Sequence, residues 1–179
     1  MKKILKKSIK KIGILGGTFD PPHKGHLYIS KIAIQKFKLN KLIWVVTKKN
    51  PLKKKSYLSL QKRLKFSKKI TKKNKKISVK HLESKIKSNK TIHMLIYLKK
   101  KRPGQKLYFI MGSDNLAQFH KWNNWQKIPK LAKIVVFPRK DYSFRSLNSI
   151  VFKKLRKKDW IFVNSKKVNI SSSLIRKFW

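Results

Sequence analysis

An α/β architecture, a mainly parallel and doubly wound sheet with helices on both faces, is predicted by three features of the 179-residue chain. Short β-type runs alternate with segments of helical spacing from one end to the other, as successive βαβ units demand. Two runs, Leu42–Val46 and Lys133–Phe137, are almost continuously apolar, the pattern of central parallel strands covered on both faces. A glycine-rich turn joins the first run to the first helical segment, an arrangement that presents a helix N-terminus to an anion.

Taken in order, Ile12–Leu15 is the first strand, an apolar run ended by Gly16 and Gly17. Leu27–Phe37 follows with helical spacing, then the strand Leu42–Val46 and the basic loop Thr47–Ser56. Helical periodicity returns over Leu60–Lys72, ahead of a short β-branched strand at Ile77–Val79. Glu83–Lys90 reads as a polar approach to a helix over Thr91–Lys101. Leu107–Met111 is the fourth strand and the 114–128 region a helix, followed by a strand at Ile134–Phe137. A helix over 145–157, a strand at Trp160–Val163 and a terminal helix over Ser172–Phe178, capped by Ser171, complete the alternation. In such sheets ligands bind beyond the carboxyl ends of the strands. The stretches after Leu15, before Pro51 and after Met111 belong there.

With 40% hydrophobic residues, the chain has material for one core, and a single domain over 1–179 is expected, with a basic, mobile N-terminal segment over 1–10. Cysteine is absent, so disulfides and thiolate metal sites are excluded, and a reducing compartment fits. The basic start is followed by an apolar run too short and too glycine-interrupted for a signal sequence. No run of about 18 apolar residues is present to span a membrane. A cytoplasmic location is expected. The chain carries 50 Lys+Arg against 5 Asp+Glu, a net charge of +45. Such a field attracts nucleic acid non-specifically and any phosphorylated ligand. The lysines are spread through every segment rather than gathered in a tail, as expected of a solvated surface, so charge alone selects no function.

Motifs select more. Gly-x-x-x-x-Gly-Lys-Ser/Thr, Gly-x-Gly-x-x-Gly and Gly-x-Ser-x-Gly are all absent, which argues against a P-loop nucleotidase, a dinucleotide redox fold and a serine-hydrolase turn. His23 and His26, three apart, share one face of a helix's first turn and point to chemistry on a phosphate. No metal site is expected of them, because no other ligand clusters nearby in sequence. At the other end, Ser172, Ser173 and Arg176 bring hydroxyls, helix N–H groups and a guanidinium onto one helix face, which suits a triphosphate or serves only as a capped helix. Asp114, one of five acids, follows the fourth strand as either a ribose acceptor or a helix cap. Trp122 can stack a planar ring, whereas Trp125 is assigned to the core.

These motifs are GGTFDPPHKGHL at 16–27, NPLK at 50–53, SNKTIHML at 88–95, FIMGSDNLAQFHKW at 109–122 and ISSSLIR at 170–176. In order and spacing they resemble the nucleotidyltransferase superfamily with the His-x-Gly-His signature, a Rossmann-like group, and within it the nicotinate-nucleotide adenylyltransferases. The first and last motifs also fit phosphopantetheine and cytidylyl enzymes; the Thr91 and Asp114–Trp122 segments resemble the nicotinate branch. The resemblance implies adenylyl transfer from ATP to nicotinate mononucleotide, giving nicotinate adenine dinucleotide and pyrophosphate in NAD synthesis. It implies that His23 and His26 contact the ATP phosphates, with Gly16, Gly17, Thr18 and Phe19 along the nucleotide. Ser172, Ser173 and Arg176 are implied to hold the β,γ-phosphates, and Lys53 to close over them. Gly112 and Asp114 approach a ribose, Trp122 stacks the pyridine, the backbone near Thr91 receives its carboxylate, and Mg²⁺ arrives with ATP. Two alternatives stand beside it: a phosphopantetheine adenylyltransferase-like enzyme, and a basic nucleic-acid-binding protein with a decayed site.

Overall fold

A computed structural model describes residues 9–49, 56–139, 150–165 and 170–178. Six strands, β1 (Lys11–Gly17), β2 (Lys41–Val46), β3 (Ile77–Lys80), β4 (Lys106–Gly112), β5 (Lys133–Phe137) and β6 (Trp160–Phe162), form one sheet in the order β3-β2-β1-β4-β5-β6. All five pairings are parallel. The expected Rossmann-like, doubly wound α/β fold is therefore present. Its strand order reverses between β1 and β4, where crossovers leave in opposite directions and a crevice opens.

The apolar runs are explained by two cores. Ile43 and Val45 of β2 face one side, with Leu42, Trp44 and Val46 facing the other. In β5, Ile134 and Val136 alternate in the same way with Val135 and Phe137. One side is covered by α1 (Lys24–Lys36) and α2 (Leu60–Thr71), whose Ala33, Leu60 and Leu64 join that core. The other receives Ile92, Leu95 and Leu98 of α4 (Thr91–Lys100), preceded by the short α3 (Glu83–Ile86). Burying both faces is what makes an alternating polar pattern impossible in these strands.

The expected 114–128 helix does not form. The chain there is α5 (Ser113–Ala117), a 3₁₀ turn Phe119–Lys121, a second 3₁₀ turn Trp125–Lys127, then α6 (Ile128–Leu131). Trp122 is extended and Asn124 is left-handed with φ 50°, so the helical ladder cannot run through them. Leu116 and Phe119, and then Trp125 and Ile128, have helical i, i+3 spacing because all four drop into the same core, with the Phe119 and Trp125 rings 6.0 Å apart. Glu83–Ile86, expected as a polar approach, is one helical turn.

The expected 145–157 helix is described only as α7 (Ile150–Lys154), followed by a 3₁₀ turn over Lys157–Asp159, and 145–149 lie outside the described residues. So do residues 1–8 of the expected basic N-terminal segment and all of NPLK at 50–53, Lys53 included. The terminal helix α8 (Ser172–Arg176) is capped by Ser171, whose hydroxyl accepts from the Leu174 N–H at 3.0 Å. Among the described residues no helix is long and apolar enough to cross a membrane.

Candidate active site

The site forms at the carboxyl ends of β1 and β4, on both sides of the reversal. β1 ends at Gly17, and the chain turns through Phe19, which is left-handed at φ 50°, and a cis Asp20–Pro21 peptide before α1 begins. A left-handed non-glycine residue costs about 1–2 kcal/mol. Here the Phe19 ring is fully buried, stacked on Trp44 at 4.7 Å and tilted against His26 at 4.8 Å. Burial of an aromatic side chain, about 1.5–3 kcal/mol, offsets that strain. The Phe19 side chain therefore supports the histidines from below, and only its backbone is available to a ligand.

His23 is the N-cap of α1 and His26 its third residue, with ring centroids 3.8 Å apart. The His23 main-chain N–H donates to His26 Nδ1 at 3.3 Å. A neutral His26 that accepts at Nδ1 carries its proton on Nε2, which is then a donor. From the other side, Trp44 Nε1 donates to Ser30 Oγ at 2.8 Å, and Ser30 Oγ donates to the His26 carbonyl at 2.7 Å. His23 is only 6% exposed, and neither of its ring nitrogens has a hydrogen-bond partner among the described residues.

Burial, reinforced by the positive charge of Arg139, lowers the His23 pKa to about 4. His26 is held well below its ordinary value by burial, then by His23 and Arg139. Both rings are neutral near neutral pH. An anion placed between them reverses the sign of the local field and favours the imidazolium. This cavity is lined by His23, His26, Gly112, Asp114, Arg139 and Ile170, among others.

Arg139 was not singled out in the sequence. It directly follows the β5 run and Pro138, so a cation at the carboxyl end of a strand was the available signal. Its main-chain N–H donates to Ser113 Oγ at 2.9 Å, and its guanidinium pairs with Asp114 Oδ2 at 2.6 Å. Asp114 is therefore bound to an arginine in the first turn of α5, while its Oδ1 is buried without a partner among the described residues. That oxygen lies where a Cβ on Gly112 would come within 2.4 Å of it, so glycine is what lets the carboxylate fold back over the strand end.

The two ends of the chain meet here. Ser172 Oγ donates to the Pro21 carbonyl at 2.8 Å, and Arg176 Nη1 donates to the Asp20 carbonyl. Arg176 Nη2 donates to Ser173 Oγ at 3.2 Å, so the two share a helix face as their spacing implies. The C-terminal motif is thus docked on the turn that carries the histidines. Asp20, within the GGTFDPPHKGHL motif, acts on the main chain rather than on a ligand. It is buried, and its carboxylate accepts from the N–H groups of Tyr57 and Leu58 at 2.7 and 2.9 Å.

A larger cavity of about 280 Å³ adjoins this one, with Asn115 lining both. Its walls include Leu82, Met94, Phe109 and Trp122, with Gly16, Thr47 and Thr91 at its edges. That volume is close to the lower end of ordinary small-ligand pockets, about 300 Å³. Trp122 is half-buried and stands edge-on to Phe119 at 5.2 Å and Phe109 at 6.0 Å, leaving it a wall of the cavity rather than a core residue. Trp125 is in the core, as expected. Gly17 and Thr18 line neither cavity: Gly17 closes β1, and the Thr18 carbonyl is engaged by Arg63.

The chain matches known proteins over nearly its whole length. The cytidylyltransferase-like family model matches residues 14–178. A probable nicotinate-nucleotide adenylyltransferase of Pelagibacter ubique is 52% identical over 167 residues, covering 93% of this chain and 92% of that protein. A probable nicotinate-nucleotide adenylyltransferase of Mesorhizobium japonicum is 34% identical over 183 residues, covering 93% of each. Among solved structures, Plasmodium falciparum nicotinic acid mononucleotide adenylyltransferase complexed with NaAD superposes with a TM-score of 0.77 at 25% identity, over 94% of this chain and 83% of that one. The same enzyme complexed with APC gives a TM-score of 0.76 at 25% identity, with the same coverage.

Proposed function

Because the chain belongs to the nicotinate-nucleotide adenylyltransferase family, nucleotidyltransferases of the cytidylyltransferase-like type, we propose that its two adjoining cavities hold the two nucleotides of that reaction. The activity is transfer of the adenylyl group of ATP to nicotinate mononucleotide, which yields nicotinate adenine dinucleotide and pyrophosphate, a step of NAD synthesis. The observation that carries the assignment of cavities is their contrast across Asn115: two imidazoles and the Arg139–Asp114 pair, set among Leu15, Ile29, Phe137 and Ile170, on one side, and Leu82, Met94, Phe109 and Trp122 on the other.

In this reading ATP lies over the β1 turn, with the N–H groups of Gly16–Phe19 and the Thr18 hydroxyl along it and its α-phosphate at His26 Nε2. His23 donates to a neighbouring phosphate oxygen. An oxygen of the mononucleotide phosphate attacks the α-phosphorus while the bond to the pyrophosphate oxygen breaks, so no covalent enzyme intermediate is required. Catalysis then consists of alignment and stabilisation of charge on the transferring group. Burial of the two imidazoles strengthens their response to that charge. Ser172, Ser173 and Arg176 receive the departing pyrophosphate, with Lys53 as a further phosphate contact. Gly112 and Asp114 receive a ribose. The pyridine ring stacks on Trp122, and its carboxylate takes main-chain N–H groups at the start of α4 around Thr91.

Mg²⁺ enters as part of the substrate, on the ATP phosphates. Asp114 pairs with Arg139, and among the described residues no three His, Cys, Asp or Glu side chains converge. Mg²⁺ at such sites ordinarily keeps several waters and is held by substrate phosphates with one or two carboxylates rather than by a protein cage. We assign the whole chain to one domain, since both ends of the motif set contribute to one site.

The test is an acceptor competition. Purified protein with Mg·ATP and equal nicotinate mononucleotide and phosphopantetheine is expected to release pyrophosphate with formation of the nicotinate dinucleotide. Pyrophosphate release only with phosphopantetheine, or with neither acceptor, overturns the assignment.

A further inference from the structure

Arg63 is an arginine where a helix would ordinarily place a leucine. It is on the second turn of α2, only 1% exposed, on the face that packs against the sheet. Burying a guanidinium costs several kcal/mol unless its donors are matched. They are matched here by carbonyls alone. Nε donates to Leu58 O at 3.0 Å, Nη1 to Thr18 O at 2.7 Å and Thr47 O at 2.6 Å, and Nη2 to Lys48 O at 2.9 Å. Four acceptors on three separate chain segments converge on one planar fork.

Those segments are the ends of β1 and β2 and the entry to α2. Parallel pairing of β1 with β2 runs to Gly17 opposite Val46, and the Thr47 N–H still reaches the Gly17 carbonyl at 2.9 Å. One residue further the pairing of these two strands ends. Arg63 takes over at that point, bridging Thr18 O and Thr47 O. Two of the chain's five acids reinforce the junction. Asp20 accepts from Tyr57 and Leu58, and Glu83 Oε1 accepts from the Lys48 N–H at 3.0 Å. Their negative charge opposes the lowering of the Arg63 pKa that burial causes.

We propose that Arg63 is a positioning residue for adenylyl transfer: by tying the Thr18, Thr47 and Lys48 carbonyls together, it fixes the ATP turn against the wall of the acceptor cavity. The inference rests on the assignment of the two cavities made above. Thr18 follows the glycines of the ATP turn, Thr47 lines the larger cavity, and Lys48 is bonded to Glu83, which lines it too. A small change in this separation moves the attacking phosphate relative to the α-phosphorus. A misplacement of about 1 Å can cost on the order of 10²-fold in rate.

The test compares Arg63→Lys, Arg63→Met and Leu64→Ala, the last thinning the packing of the same helix without any contact to the three carbonyls. Assays are run well below each variant's unfolding temperature. Arg63→Lys keeps the charge but not the planar fork. It is expected to lower kcat/KM for ATP and for nicotinate mononucleotide together, each by about tenfold or more. Arg63→Met, where it folds, is expected to lose more, while Leu64→Ala keeps kcat/KM within about twofold.

Amide exchange at Thr18, Phe19 and Thr47–Lys49 is expected to rise in Arg63→Lys and stay unchanged in Leu64→Ala. That readout needs no turnover, so it tests the tie between the three segments even where an inactive parent protein overturns the functional assignment and the positioning role with it. Unchanged exchange in Arg63→Lys, kcat/KM within twofold of the parent, loss confined to one nucleotide, or an equal loss in Leu64→Ala overturns the positioning role.

Discussion

Where the cavity around His23 and His26 sets two imidazoles and the Arg139–Asp114 pair among Leu15, Ile29 and Phe137, the one beside it is walled by Leu82, Met94, Phe109 and Trp122, and the two touch at Asn115. The first holds two groups whose charge state responds to an anion: both histidine pKa values are depressed by burial and by Arg139. The second offers shape and apolar area, with polar groups at its rim. A site that handles charge acts on the transition state, whereas a site that fits a ring acts on binding. The difference predicts how substitutions divide between turnover and affinity.

The largest expected effect is on the charged side. His26→Ala removes the Nε2 donor assigned to the α-phosphate, and turnover is expected to fall on the order of 10²-fold or more, with the KM for nicotinate mononucleotide little changed. Steady-state kinetics check this, and near-parental turnover removes His26 from the chemistry. On the apolar side, Trp122→Ala is expected to raise the KM for nicotinate mononucleotide by roughly tenfold or more, since ring stacking contributes about 1–3 kcal/mol. The KM for ATP should stay within about twofold. Equal weakening of both nucleotides would make Trp122 a structural residue and erase the contrast.

A smaller effect follows from the unliganded histidines. With His23 at about 4 when folded against 6.5 ordinarily, the unfolded chain binds the proton first as pH falls. Stability is therefore expected to drop as pH falls through this window, and to be fully present above it. The His23 share is about 1–2 kcal/mol between about pH 7.5 and about pH 5. Denaturant unfolding of the parent and of His23→Gln at the two pH values isolates it. An identical pH slope in both proteins refutes a buried, neutral His23. Saturating ATP is expected to flatten the parent's slope, because bound phosphate raises the histidine pKa.

Much of this arrangement is legible in the sequence, for a physical reason. A parallel sheet buried on both faces forces apolar runs, which makes its central strands visible; the edge strands β3 and β6, only partly buried, show as shorter runs of β-forming residues. The helix at Thr91 and the cap at Ser171 follow equally from spacing and hydroxyl chemistry. The 114–128 stretch misleads because the i, i+3 pairs Leu116–Phe119 and Trp125–Ile128 reach one core from separate short turns, which periodicity does not distinguish from one helix.

Arg63 and Arg139 are hidden for another reason. In a chain with 50 lysines and arginines, a basic residue carries little information, and apart from Leu58 the partners of these two are 15 to 45 residues away. The acids are the better guide. Asp20, Glu83, Asp114 and Asp159 each hold a main-chain N–H or an arginine, and the first three do so at the carboxyl edge of the sheet.

The smallest catalytic effect is expected beneath the histidines, at Ser30. Its hydroxyl accepts from the fully buried Trp44 and donates to the His26 carbonyl. Ser30→Ala leaves the Trp44 N–H buried and unmatched, which costs about 1–3 kcal/mol of stability. Turnover is expected to change by less than about threefold, because other contacts hold the His26 ring. The His23 N–H fixes Nδ1, and Phe19 braces the ring face. Thermal or denaturant unfolding measures the first effect and kcat the second. A stability loss with turnover intact separates the foundation of the charged cavity from its chemistry. A fall in turnover approaching that of His26→Ala would instead make the Trp44–Ser30–His26 chain part of how the charged side works, and the contrast with the apolar side would extend one layer deeper.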